Sequence, residues 1–456
     1  TSSLASTFVK KKPVQAVGIG LGVATVLASV AYVERFMAKS VDKVLAKKAP
    51  NLEKSWLPIG HLVGAGALAL LATQYLRHIY TKIEHGADGV EVGFSLPPTS
   101  KYVSGSVESA IGWQTLSVQG RRHITERLTA KDIETVVGEK AMEPIRIFVG
   151  LDSGIDEEDR VSKALSELER TGAYDRETIL VASPTGTGYI NYVMSEGVEY
   201  LSHGNVASVT IQYSKRPSPL SLDRVGEGHV QYRMLLNGIN KKLRTIPKAN
   251  RPRIVLFGES LGAWTSQDAF VNSGTDGLEA LNIDRALWIG TPKGSKWKTQ
   301  VLSKNMLNVE YDQIGVFDNY QEVIDMPAAQ RDNIRYVMVT HYNDPIAQFG
   351  LELLVKQPEW IDDATKRPVG LSPHIKYRTP AMFVQMLVDM KNALKPVPGK
   401  FVASGHDYRG DLSHFLMYAY NFKATKSQLH KIEQALIDNE IDRAALIEKG
   451  KLSSSG

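Results

Sequence analysis

At 456 residues, the chain is long enough for one large domain with additions or for two to three domains of ordinary size. Its 54 basic and 49 acidic residues give a net charge of +5, an excess too small to indicate a protein that binds nucleic acid. Because the sequence contains no cysteine, disulfides, thiolate catalysis and cysteine-based zinc sites are excluded.

Two uncharged stretches near the N-terminus predict transmembrane helices over residues 14–33 and 57–76. Both are 20 residues long and mainly apolar, which is enough to span a bilayer. A cleaved signal peptide is the alternative for the first stretch, but its apolar part is long for one and a second stretch follows. For either stretch, an interfacial or buried helix is the other interpretation.

Charge around these stretches bears on the orientation of the chain. The loop 34–56 carries six basic residues and the outer flanks carry five, which favours a cytoplasmic loop and a main domain on the extracytoplasmic side of the cell membrane. The chain opens on Thr1 rather than methionine, so we expect residues upstream of this numbering.

The rest of the chain divides by composition into a connector, a main domain and a tail. Glycine, serine and proline are frequent over 85–143, which predicts a juxtamembrane connector that passes through a helix at 130–137 into the main domain. The predicted organisation is a membrane region at 1–84, the connector at 85–143, the main domain at 144–423 and a C-terminal segment at 424–456.

Strand and helix patterns alternate throughout the main domain. Strands are predicted at 145–151, 178–183, 207–213, 253–257, 286–289 and 334–340, and helices at 157–171, 192–201, 228–243 and 263–271. This alternation predicts an α/β fold with a mostly parallel sheet and helices on both faces. Such sheets carry their functional sites at the carboxyl ends of the strands.

The fourth of these strands leads into a G-x-S-x-G motif, Gly258-Glu259-Ser260-Leu261-Gly262. Strand, motif and helix together are typical of a nucleophile elbow, in which a strained turn exposes the serine and the two glycines let strand and helix approach closely. Ser260 is therefore the candidate nucleophile. A structural glycine turn is the alternative reading of the motif alone.

Two later residues follow in the order that an α/β-hydrolase uses for its acid and base. Asp344 follows the strand 334–340, and His406 lies in Ser404-Gly405-His406-Asp407. In a triad the serine attacks, the histidine accepts its proton, and the aspartate fixes the tautomer of the histidine. Other residues remain alternatives, namely Asp312, Asp318 and Asp325 as the acid and His374 and His414 as the base.

A glycine-containing turn, Pro184-Thr185-Gly186-Thr187-Gly188, follows the strand 178–183. A hydrolase supplies one backbone donor of its oxyanion hole at this position, and the residue after the nucleophile supplies the other. The predicted oxyanion hole therefore consists of Leu261, Thr185 and Gly186. The turn is not a phosphate-binding Walker loop, because no Gly-Lys-Ser/Thr follows.

Several of these motifs together resemble one family, the membrane-anchored α/β-hydrolases of the actinobacterial type, which join membrane helices to a serine-hydrolase domain. The resemblance extends over about residues 95–440 and rests on 112–113, 120–122, 144–151, 167–172, 184–188, 212–214, 258–263 and 405–409. Members often have more membrane helices than the two predicted here. This chain also has Lys215-Arg216 where apolar residues are expected, which predicts a more basic substrate entrance.

The resemblance and the predicted triad imply a membrane-bound serine esterase or lipase that needs no cofactor and no metal. An ester of a membrane or envelope lipid is the expected substrate, either an aminoacylated lipid or an acylated glycolipid, and Lys215-Arg216 would suit an anionic head group. An acyltransferase with the same triad and an alcohol acceptor is one alternative. A membrane scaffold without catalytic activity is the other.

The C-terminal segment has an amphipathic helical pattern from Thr425 to Lys449. Glu433 and Glu440 fall on its apolar face, so a break near Asp438 into two shorter helices is the alternative to one continuous helix. Packing against the main domain is expected. If the protein forms a homo-oligomer, this helix and the membrane helices are the surfaces expected to mediate it.

Overall fold

The computed structural model describes residues 87–350 and 396–453, with isolated positions between 35 and 81 and between 353 and 393. Apart from position 74, both predicted membrane spans lie outside the described residues. No helix in the described part of the chain is long and apolar enough to cross a membrane.

The centre of the molecule is a sheet of seven parallel strands in the order β1-β3-β2-β4-β5-β7-β6. The strands are Ile145–Val149 (β1), Thr178–Ser183 (β2), Val206–Ile211 (β3), Arg253–Glu259 (β4), Ile283–Ile289 (β5), Ile314–Phe317 (β6) and Tyr336–Val339 (β7). Every residue of β1, β2, β3 and β7 is buried, as expected when helices cover both faces of a parallel sheet.

The helices are Val118–Thr125 (α1), Ala130–Val137 (α2), Glu157–Arg170 (α3), Tyr192–Leu201 (α4), Val225–Leu243 (α5), Leu261–Asp268 (α6), Asp276–Ala280 (α7), Lys296–Leu302 (α8), Tyr320–Asp325 (α9), Ala328–Asn333 (α10), Pro345–Gln348 (α11), Leu412–Ala419 (α12) and Lys426–Ser453 (α13). In one group α5 packs against α3 and α6, and in the other α4 packs against α12 and α13. The predicted alternation of strands and helices is therefore confirmed.

Strand β6 is the strand of this sheet that the sequence patterns do not predict, and the short helices α1 and α7 to α12 are also not predicted. Strand β6 has only four residues, includes Gly315, and exposes Val316 to solvent at the edge of the sheet. A short edge strand with a glycine has neither the length nor the continuous apolar pattern of a buried strand, so it gives little periodic signal.

The segment predicted as a connector is packed into the main domain over its described residues, 87–143. Val103 pairs with Arg146 beside β1, and the Ser104 amide donates to the Arg146 carbonyl at 3.2 Å. Ile111 and Leu116 are 1 % exposed and belong to the same apolar core as the sheet. The glycines and polar residues of this segment form turns between buried contacts.

The C-terminal segment forms one continuous helix, α13, without the alternative break near Asp438. The two acidic residues on its apolar face have partners there: Glu433 accepts from the Ser413 hydroxyl at 2.8 Å, and Glu440 pairs with Arg409. Because these carboxylates are paired with residues of the main domain, they do not interrupt the packed face of the helix.

Candidate active site

The G-x-S-x-G motif forms the turn between β4 and α6. Ser260 stands between the last residue of the strand and the first residue of the helix, with φ 53° and ψ −122°. A non-glycine residue in this region of backbone space is strained and persists only when its surroundings hold it there. The Ser260 amide donates to the Ile289 carbonyl at 2.9 Å, and the Trp264 amide donates to the Ser260 carbonyl at 3.1 Å.

The two glycines of the motif are required by close backbone contacts. A methyl group on Gly258 would lie 2.6 Å from Cα of Ala263, and one on Gly262 would lie 2.3 Å from the Ser183 carbonyl oxygen. The first contact brings the strand against its own helix, and the second brings that helix against the end of β2. The predicted reason for the glycines is confirmed.

Asp344 and His406 are joined by a hydrogen bond of 2.7 Å between Asp344 Oδ2 and His406 Nδ1. Asp344 follows β7, caps the N-terminus of α11 and is fully buried, and its Oδ1 accepts from the Ile346 amide at 2.8 Å. With the carboxylate ionised, Nδ1 of His406 carries the proton and Nε2 is left as the acceptor.

The environment of this pair favours the charged forms of both residues. Burial raises the pKa of Asp344, but the nearby His406 and the hydrogen bonds to the carboxylate outweigh it and leave the pKa below its usual range. Burial lowers the pKa of His406, and the Asp344 carboxylate outweighs that effect and raises it. A carboxylate in this position stabilises an imidazolium when the histidine accepts a proton.

The imidazole of His406 lies over the end of β5, next to the elbow. A methyl group on Gly290 would be 2.8 Å from Cε1 of His406, and the preceding residue, Ile289, accepts from the Ser260 amide. In the described part of the chain, the Ser260 hydroxyl and His406 do not form a hydrogen bond with each other. Such bonds are often long before a substrate binds.

The alternative acids and bases have other surroundings. Asp318 accepts from the Tyr342 amide at 2.6 Å, and His414 lies 3.1 Å from a carboxylate oxygen of Glu433. Over 87–350 and 396–453, none of the three alternative aspartates, Asp312, Asp318 and Asp325, has a hydrogen bond to a histidine. His374 lies outside the described residues.

The predicted oxyanion turn follows β2, directly beside β4 in the sheet. One of its predicted donors needs correction: the Thr185 amide donates to the Tyr189 carbonyl at 3.0 Å, so it closes the turn and is not available to a ligand. The Gly186 amide has no such bond in the described part. The Leu261 amide is the first in α6 and therefore lacks a partner within the helix.

Tyr408 is a site residue to which the sequence patterns assign no role. Its hydroxyl donates to Asp344 Oδ2 at 2.7 Å, the oxygen that also binds His406, and accepts from the His341 amide at 3.3 Å. Its ring stacks on that of His341, with centroids 4.2 Å apart and planes 7° apart. The sequence signal that could have identified Tyr408 as a site residue is its position two residues after His406, in the Gly405–Arg409 motif.

Two further ionisable groups border the site. Glu259 accepts from the Asn191 side-chain amide at 3.2 Å, and burial raises its pKa although His406 opposes that effect. Lys298 donates to the Thr291 carbonyl at 3.0 Å, and burial lowers its pKa to about 8 despite the charge of Asp344. No group of acidic and histidine side chains among the described residues is arranged to hold a metal ion.

The basic pair that follows β3 is neutralised, contrary to the expectation of a basic entrance. The Lys215 side chain is 6 % exposed and pairs with Asp88 at 2.6 Å and with Asp152. Arg216 pairs with Asp223 at 3.1 Å. Because both cations already have carboxylate partners, they give no reason to expect an anionic head group.

A parallel sheet with a serine elbow after its central strand, and an Asp-His pair at the same edge of the sheet, defines the α/β-hydrolase class. The model of a family described as alpha/beta-hydrolase matches residues 145–432, and the chain belongs to this family. Membership indicates hydrolase-type activity. No curated protein matches the sequence.

Proposed function

We propose that the protein is a membrane-bound serine esterase of the lipase type that cleaves an ester of a membrane or envelope lipid. The observation that carries this proposal is the 2.7 Å bond between Asp344 and His406, beside a serine held at φ 53° at the end of β4. This arrangement has a nucleophile, a base and a group that orients the base, as acyl transfer through a serine requires.

In the proposed reaction the Ser260 hydroxyl attacks the ester carbonyl while its proton passes to Nε2 of His406. The imidazolium is stabilised by Asp344 and then gives the proton to the departing alcohol, which leaves an acyl group on the serine oxygen. A water molecule attacks the acyl group, with His406 again taking and returning the proton, and the free acid departs. Asp344 keeps its charge throughout.

The negative charge on the carbonyl oxygen needs donors that are already in position. We assign this role to the backbone amides of Leu261 and Gly186, since the Thr185 amide is used inside its own turn. Removing one donor of this kind from a serine hydrolase typically slows the reaction about 100- to 1,000-fold.

The proposed lipid substrate rests on the predicted spans 14–33 and 57–76. Two helices in a bilayer would hold the hydrolase domain next to lipid, where the effective concentration of a lipid ester is high. We place the domain on the extracytoplasmic side of the cell membrane, in accordance with the charge bias of the flanking loops. An aminoacylated lipid and an acylated glycolipid both satisfy this proposal.

Labelling of the full chain in detergent with a fluorophosphonate tests the proposed nucleophile and base. Wild type should be labelled and should hydrolyse a short-chain ester, and Ser260→Ala and His406→Ala should lose both properties. His414→Ala is the matched control, because this histidine also contacts a carboxylate but lies outside the site. If a folded wild type is not labelled, the membrane scaffold without catalytic activity becomes the favoured interpretation.

Product analysis separates hydrolysis from transfer. With a lipid ester as donor and an added alcohol as acceptor, an esterase should release free acid at a rate that the alcohol does not reduce. A product in which the acyl group is mostly on the alcohol would favour the acyltransferase.

A further inference from the structure

Exposed apolar residues are concentrated in three short segments. Eighteen large apolar side chains are exposed among the described residues, and seven of them lie within 90–96, 397–402 and 441–446. These seven residues, which we call the apolar face, are Val90, Val92, Leu96, Val397, Val402, Ile441 and Leu446. Val92 is 60 % exposed and Leu96 is 80 % exposed, so their side chains are largely in contact with solvent.

Helix α13 contacts both of the other segments of the apolar face. A methyl group on Gly93 would lie 2.8 Å from Leu446 Cγ, and one on Gly399 would lie 2.6 Å from Ile441 Cγ1. The Gly399 amide also donates to Glu440 at 2.8 Å. Helix α13 therefore connects the other two segments, with Leu446 against 90–96 and Ile441 against 397–402.

Two residues of the apolar face link it to segments of the candidate active site. Val90 lines a cavity of about 360 Å³ together with Thr187 of the predicted oxyanion turn. On the other side, Val402 belongs to the loop that leads to His406 four residues later. A surface that contacts the apolar face would thus lie near the oxyanion turn and the loop that carries His406.

Several charged groups in and around the apolar face are paired within the molecule, whereas Lys400 and Asp442 are exposed and have no ion pair among the described residues. Arg122 binds Glu91 through two hydrogen bonds of 2.6 and 2.5 Å. Arg409 pairs with Asp407 at 2.7 Å and also with Glu440. Paired charges reduce the demand for a charged partner, and large contiguous apolar patches usually mark sites that contact a protein or a membrane.

The chain that precedes the apolar face favours a membrane. The second predicted span ends at Leu76, and the described segment begins at Ala87, so only residues 77–86 separate the two. Ten extended residues reach at most about 35 Å. If the span is in a bilayer, Ala87, three residues before the apolar face begins, therefore lies within about 35 Å of the end of that span.

We infer that the apolar face rests on the lipid bilayer, so that the site formed by Ser260 and His406 opens towards the membrane. Aliphatic side chains at the boundary of the acyl chains gain by leaving water, as the apolar face of an interfacial helix does. A lipid ester could then reach the serine without passing through bulk water. This inference rests on the proposed membrane location and substrate.

Fluorescence quenching in nanodiscs tests the contact directly. The chain has no cysteine, so Val92→Cys and Val397→Cys each provide one site for an environment-sensitive NBD label. Leu307→Cys is the matched control, since Leu307 is fully exposed and lies outside the three segments. Spin-labelled lipid should quench the label at 92 and 397 and leave the label at 307 unchanged.

Each other outcome overturns the inference. No quenching at 92 and 397, equal quenching at all three positions, or a full chain that does not associate with the nanodiscs would each be inconsistent with a lipid-facing surface. Turnover of a short-chain ester by the same samples reports the proposed function separately. Quenching without turnover would support the contact between the apolar face and the bilayer and would contradict the proposed esterase activity.

A second pair of variants connects the contact to catalysis. Val92→Asp with Val397→Asp should lose turnover of a long-chain ester dissolved in the bilayer while turnover of a soluble short-chain ester stays unchanged. Leu307→Asp should leave both rates unchanged. Equal rates of the long-chain ester in the double variant and the wild type would contradict the inference.

Discussion

Replacing Tyr408 with phenylalanine removes one hydroxyl group from the carboxylate that orients His406. That hydroxyl donates to Asp344 Oδ2 at 2.7 Å, and the same oxygen binds Nδ1 of His406 at 2.7 Å. Phenylalanine keeps the ring that stacks on His341, so the change removes a hydrogen bond and little packing. The variant therefore separates the polar role of Tyr408 from its structural role.

The size and direction of the effect follow from the surroundings of the carboxylate. A hydrogen bond to a charged group contributes about 1.5–3 kcal/mol, so Tyr408→Phe should lower the free energy of unfolding by about that amount. With one donor fewer, the negative charge of Asp344 acts more strongly on His406, whose pKa it already raises. The acid limb of kcat/KM should therefore move to higher pH.

Denaturant unfolding and the pH profile of short-chain ester hydrolysis measure the two effects. Tyr418→Phe is the control, because the Tyr418 hydroxyl donates to the Arg331 carbonyl at 2.9 Å away from the site. It should lower stability without moving the pH profile. A profile that is the same in Tyr408→Phe as in the wild type would refute the positioning role, whatever the loss of stability.

Three other predictions concern the elbow, the C-terminal helix and the proposed base. Gly262→Ala would place a methyl group 2.3 Å from a backbone oxygen and should lower the free energy of unfolding by about 1–3 kcal/mol or more in denaturant unfolding. Gly226→Ala is the control and should not destabilise the fold, because no atom lies within 4 Å of the added methyl group. Equal effects of the two changes would contradict the close-approach argument. Arg443→Met removes the cationic partner of the buried Glu196 and the partly buried Glu126 and should cost about 3–5 kcal/mol by the same measurement. A neutral result would show that this network does not hold α13. His406 must be neutral to accept a proton and its pKa is raised, so kcat/KM should fall as pH drops through a value above 6.5. A midpoint of the acid limb of kcat/KM below 6.5 would be inconsistent with His406 as the base.

The elements that the sequence predicts well are long and carry a local signal. The elbow around Ser260 is one example, because an apolar strand, a glycine-serine-glycine turn and a helix follow one another within a few residues. The order of Asp344 and His406 after it was enough to predict that they lie at the same edge of the sheet, and the structure brings these two together. Their catalytic roles remain predictions.

Contacts between distant segments could not be predicted in the same way. The Tyr408 hydroxyl meets Asp344 across 64 residues of sequence, and Lys215 meets Asp88 across 127. The Thr185 amide is lost as an oxyanion donor because a turn of only five residues closes on Tyr189. These pairings depend on three-dimensional packing and on turn geometry, for which composition and periodicity give no signal.

The most direct test of the account is to locate a covalent adduct on the serine. After labelling with a fluorophosphonate and digestion with trypsin, the adduct should be found by mass spectrometry in the peptide 254–285, on Ser260 rather than on Ser266 or Ser273. It should be absent from His406→Ala, in which the base is missing. An adduct on another serine, or no adduct on folded wild type, would contradict the proposal that Ser260 is the nucleophile.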